Sequence, residues 1–74
     1  MKHEFDRSRA LELVDEPFYA LIMAAMRRAD DENLAKLRAA WPDVYAELHA
    51  RYWAPGGVII GDPEYDPVIH RSER

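Results

Sequence analysis

The chain reads as a small all-α domain with an extended acidic C-terminal arm. Three observations carry that reading. Apolar residues recur at three- and four-residue spacing through the middle of the chain. Proline, aspartate and glycine punctuate that pattern where helices begin and end. There is no cysteine among the 74 residues, so neither a disulfide framework nor a thiolate metal site can organise the fold.

The first of the three central helices is expected over about residues 17–29. Pro17 follows Asp15 and Glu16. Proline is tolerated in a first helical turn, and acids there suit the helix dipole. Phe18, Leu21, Ile22, Ala25, Met26 and Ala29 form its apolar stripe, and Arg27 and Arg28 fall in its last turn. The second helix is expected over 31–41. Asp30 is its N-cap, Asp31 and Glu32 occupy its first turn, and Leu34, Leu37 and Trp41 line one face. Pro42 separates it from the third, over 43–53, with Val44, Tyr45, Leu48 and Tyr52 as the stripe and Ala54-Pro55-Gly56-Gly57 as the stop. Leu37 and Leu48 are expected in the core, where truncation to alanine costs about 2–5 kcal/mol.

The ends carry weaker patterns. Residues 5–14 have room for a short fourth helix with Phe5, Leu11 and Val14 inward. The helical domain is therefore placed at residues 1–57 and the arm at 58–74. Pro63 and Pro67 forbid a long helix in the arm, so an extended course is expected. Val58, Ile59 and Ile60 are expected to pack back on the helices, because three exposed β-branched residues in a row invite aggregation.

Charge excludes several functions. The net charge is −4, with residues 1–16 at −2, residues 17–53 neutral and residues 54–74 at −2. Wrapping a phosphate backbone needs a basic surface, so nucleic acid is not the expected partner. Its best case is a stripe of Arg27, Arg28, Lys36, Arg38 and Arg51, read more simply as a wet face with charge pairs four residues apart. The longest apolar run, Phe18 to Met26, is nine residues, against roughly 20 for a membrane span. The N-terminus lacks the apolar core of a secretory signal, so a cytoplasmic location is expected.

No motif points to chemistry, and neither catalytic residues nor a cofactor nor a metal site is expected. His3, His49 and His70 are far apart in sequence, and the residue one turn after His49 is Trp53 rather than a second ligand. Ser8 and Ser72 lie in no nucleophile turn, and Gly56-Gly57 lacks a phosphate-loop pattern. Asp62, Glu64, Asp66 and Glu73 fall at positions 1, 3, 5 and 12 of a calcium loop. Pro67 takes the sixth position, where such a loop needs glycine, so the arm reads as solvated acid.

The aromatic cluster is the feature of greatest weight. Trp41, Tyr45, Tyr52 and Trp53 lie within thirteen residues, beside Arg51. Tyr, Trp and Arg dominate the energetics of protein interfaces. These five residues are therefore the expected contact surface for a protein partner, with Tyr52 and Trp53 at its centre. Three short helices cannot bury all the apolar side chains that 49% implies, so a homodimer or a subunit of a complex is expected.

The segments Pro17-Phe18-Tyr19, Leu37-Arg38-Ala39-Ala40-Trp41-Pro42, Glu47-Leu48-His49-Ala50-Arg51-Tyr52 and Ala54-Pro55-Gly56-Gly57 resemble small helical proteins of bacteriophage and prophage type. The resemblance implies a setting rather than a site. Small acidic phage proteins act stoichiometrically on host machinery such as a polymerase or a defence complex. A phage-type inhibitor or regulator of a host protein is thus the expected function. A self-associating assembly protein is the first alternative and a nucleic-acid-binding regulator the second.

Overall fold

The computed structural model describes residues 1–70. The protein is all-α: α1 (Lys2–Glu12), α2 (Phe18–Arg28), α3 (Asp31–Ala40), α4 (Pro42–Tyr52), a 3-10 turn (Pro55–Gly57) and a single-turn α5 (Pro67–His70). There is no strand among the described residues.

The central boundaries follow the punctuation. Asp30 caps α3 through its side chain, which accepts the Asn33 N–H at 2.8 Å. Trp41 is the joint between α3 and α4. Its own N–H reaches back to Leu37 O at 2.8 Å, and its carbonyl accepts the Tyr45 N–H at 3.0 Å. Pro42 can follow directly because the first helical N–H has no partner to lose. After α4, Gly56 and Gly57 take φ values of 64° and 71°. That left-handed pair turns the arm back alongside the helix, a course closed to most side-chain-bearing residues.

α4 is the hub. It packs against α2, α3 and the 3-10 turn, while α2 also meets α3. The core at their junction is very small. Met26, 4% exposed, and Val44, 9% exposed, are its only buried residues among those described, and neither is sealed completely. Leu37 and Leu48, expected inside, are only half-covered. Of the α2 stripe, Ile22, Met26 and Ala29 turn inward together with Met23, whereas Phe18, Leu21 and Ala25 remain on the surface.

α1 departs furthest from expectation. It starts at Lys2 and ends at Glu12, ahead of the 5–14 span that the sequence suggests. A Lys2–Asp6 ion pair at 2.8 Å spans its first turns, and Val14 falls in the turn that follows. Phe5, Leu11 and Val14 are all exposed rather than inward. The reason is local. Six of its eleven residues are charged, and Phe5 and Leu11 stand six positions apart, about 240° round the helix, so no stripe forms. Among the described residues α1 packs against no other helix. The molecule is accordingly long, 49 × 28 × 16 Å, with a radius of gyration of 15.2 Å. A compact chain of this length would have about 11 Å.

The arm is not uniformly extended. Asp66 starts α5, its carboxylate accepting the Val68 N–H at 2.9 Å. Pro67 is the first helical residue, where its missing N–H costs nothing, and the helix has one turn within the described span. Val58 and Ile59 are half-buried as expected, but Ile60 points to solvent.

Candidate protein interface and the Arg51 clamp

Three consecutive residues at the end of α4 have three different fates. Successive helical side chains are about 100° apart, so Arg51, Tyr52 and Trp53 cannot share one face. Arg51 turns toward the arm. Its Nε donates to Glu47 Oε2 at 2.6 Å, one turn earlier on the same helix. Its Nη1 donates to Asp62 Oδ2 at 2.6 Å and to the Gly57 carbonyl at 2.8 Å, and its Nη2 donates to Asp62 Oδ1 at 2.9 Å. The fork thus grips Asp62 bidentately, the strongest geometry open to an Arg–carboxylate pair. Asp62 Oδ2 also accepts the Ile59 N–H at 3.1 Å. One guanidinium thereby ties α4, the glycine turn and the arm together.

This differs from the sequence expectation, which set Arg51 beside Tyr52 and Trp53 at a contact surface. Its guanidinium is occupied within the chain. Asp62, read from the sequence as the first position of a failed calcium loop, is its partner. Asp66 is spent on capping α5, and Glu73 lies outside the described residues.

The clamp makes a pH prediction. The Arg51 hydrogen bond, then the Ile59 N–H, pull the Asp62 carboxyl from 3.8 down to about 2. Asp62, and then Glu47, raise the Arg51 guanidinium above its already high value. A carboxylate depressed in the folded state stabilises that state above its unfolded value and loses the contribution as pH falls through the folded one. The clamp's contribution to stability is therefore complete above about pH 4 and is lost as pH falls from about 4 through 2. Carbon-detected NMR should show Asp62 titrating with a midpoint near 2. A midpoint at or above the ordinary carboxylate value would mean that the pair does not form in solution.

Tyr52 and Trp53 stay outside, 59% and 71% exposed, with their rings edge to face at 5.2 Å. They form the lip of an apolar groove of about 260 Å³, floored by Met26, Leu34, Tyr45 and Leu48. The cations beside these aromatics are Arg27, whose guanidinium sits 5.6 Å from the Tyr52 ring centre, and Arg38, 4.7 Å from that of Tyr45. From sequence, Arg27 reads as a dipole-balancing residue and a member of the basic stripe, not as a neighbour of Tyr52. Its place follows from the packing of α2 on α4. Tyr45 is half-buried, its ring 6.0 Å from that of His49. Trp41 is half-buried at the opposite end of the bundle, edge-on to Phe18 at 6.3 Å. The five residues expected at one surface therefore divide. Tyr52 and Trp53 form the exposed lip and Tyr45 part of its floor, while Trp41 and Arg51 hold scaffold joints.

No family model, curated protein or solved structure matches this chain. Among the described residues no helix is long and apolar enough to cross a membrane. The functional reading therefore rests on the geometry of the chain itself.

Proposed function

We propose that the protein is a non-enzymatic protein-binding module that engages a larger protein through the Tyr52–Trp53 lip and its groove. A stoichiometric inhibitor or regulator, as the likeness to small phage proteins implies, is the role that suits such a module. The observation that carries the reading is the exposure of Trp53 beside Tyr52 over an apolar floor. A large aromatic left wet beside a groove gains most from being covered, and such aromatics supply the hot spots of interfaces. Arg27, stacked on Tyr52, adds a cation at the rim. That combination favours a partner with an apolar anchor flanked by acid.

Trp53→Ala should weaken partner binding by about 2 kcal/mol or more while leaving the helical content and unfolding midpoint nearly unchanged. The test is paired affinity capture from source-cell lysate with wild-type and Trp53→Ala baits. A protein retained in stoichiometric amount by the first and lost by the second supports the reading. Equal capture by both baits, or a Trp53→Ala chain that unfolds, overturns it.

A further inference from the structure

The opposite side of α2 carries a second uncovered surface, apart from the Tyr52–Trp53 groove. Phe18, Leu21, Ala25 and Arg28 lie within about 80° of arc on this helix. The Phe18 and Leu21 side chains on that arc are exposed. Ala25 also forms the edge of a shallow groove between α2 and α3, floored by Ala29, Leu37 and Trp41 and rimmed by Arg28 and Lys36. No carboxylate lines it. Asp31 faces the other side of α3, with Leu34 and Arg38, and Asp30 is committed to its cap. Glu32 approaches Lys36 only at 3.8 Å. Arg28 has no ion pair among the described residues.

The other end of α2 has the opposite sign. Asp15 and Glu16 precede it, adjoining the exposed Leu13 and Val14, and have no ion pair among the described residues. They cannot reach Arg28 in their own chain. They sit at the start of an eleven-residue helix about 16 Å long, and Arg28 is its last residue. An acidic start, an apolar middle and a basic end make the α2 face complementary to itself when two copies run antiparallel. Residue i then meets j while j meets i, the defining property of a two-fold contact.

We propose that this face binds a second copy of the chain, with the two α2 helices antiparallel. The two-fold axis passes near Leu21, Phe18 of each copy covers Ala25 of the other, and Asp15 and Glu16 of each approach Arg28 and Lys36 of the other. Alanine at 25 lets the helices approach closely. The antiparallel arrangement also opposes the two helix dipoles. Leu13 and Val14 come with the acidic segment to the groove that Ala29 and Leu37 floor. This surface lies across α2 from Arg27 and leaves the partner groove open.

Charge exchange tests the pairing. One variant carries Asp15→Lys and Glu16→Lys, the other Arg28→Glu and Lys36→Glu. Each alone should self-associate at least about 100-fold more weakly than wild type, because both of its contacts oppose like charges. An equimolar mixture should form a heterodimer in sedimentation velocity, because both contacts are then restored. Circular dichroism checks that the helices persist. Should either variant fail to fold, Leu21→Cys in the otherwise cysteine-free chain decides, since with oxidised glutathione as the oxidant a residue near the axis gives a rapid disulfide-linked dimer. A wild type that stays monomeric over its whole concentration series overturns the proposal. So do variants that dimerise as well as wild type, a mixture that stays monomeric, or a Leu21→Cys chain that does not link.

Discussion

Met26→Ala is expected to cost about 2–5 kcal/mol, the range for emptying a fully packed methionine or leucine site. Its weight comes from how little else is buried. Met26 and Val44 alone are buried among the described residues, one on α2 and one on α4, the two helices that pack together. A domain of this length has about 4–11 kcal/mol of total stability, at about 0.05–0.15 kcal/mol per residue. One side chain therefore accounts for a large share of it, and the variant should be mostly unfolded at modest urea. Leu21→Ala, on the exposed side of the same helix, is the control and should cost under about 0.5 kcal/mol in the monomer. Leu37→Ala and Leu48→Ala should fall between the two, since both positions are half-covered. Urea melts followed by circular dichroism give all four values. A Met26→Ala cost as small as the control would place the core elsewhere.

The same residues show what the sequence could and could not reveal. Helix ends were legible because they depend on local chemistry. Pro17, Pro42 and the glycine pair act through their own backbones and Asp30 through a side chain that reaches only three residues on, and α2, α3 and α4 fall within a residue or so of the expected spans. Which apolar residues end up inside depends on how many neighbours a helix has. The α2 stripe reads as one buried face, but α3 and α4 cover only part of it, and α1 does not come down on the rest. Phe18, Leu21 and Ala25 are left out for that reason. The clamp was illegible for a different one. Arg51 and Asp62 are eleven residues apart, beyond any helical repeat, and meet only because Gly56 and Gly57 reverse the chain. A glycine pair after a helix, followed by an acidic arm whose first acid is Asp62 and preceded by an arginine in the last turn, was the available signal. It gains meaning only once the turn geometry is known.

Arg51→Ala is expected to release the arm while leaving α2, α3 and α4 assembled. The substitution removes four hydrogen bonds at once and leaves Asp62 facing a turn with no counter-charge. Asp62 is only about one-fifth exposed, so it would move outward to recover water, and the Ile59 N–H would lose its acceptor as it leaves. Amide exchange at Ile59 should then quicken by about an order of magnitude or more, whereas exchange within α4 near Val44 should hardly change. Arg51→Lys should fall in between, because an ammonium cannot grip both Asp62 oxygens in the fork geometry. The consequence reaches the proposed partner surface. Trp53 also lines a hollow with Ala50, Ala54, Val58, Ile59 and Tyr65, so the arm backs the indole on the side away from the groove. Once the arm is free, Trp53 loses that backing and samples more rotamers, which raises the entropy cost of binding. Arg51→Ala should therefore weaken partner capture without Arg51 touching the partner, and Arg51→Lys should recover part of both the Ile59 protection and the capture. Lost capture with Ile59 still protected would instead place Arg51 at the contact itself. Unchanged exchange at Ile59 would mean that the clamp is not what holds the arm.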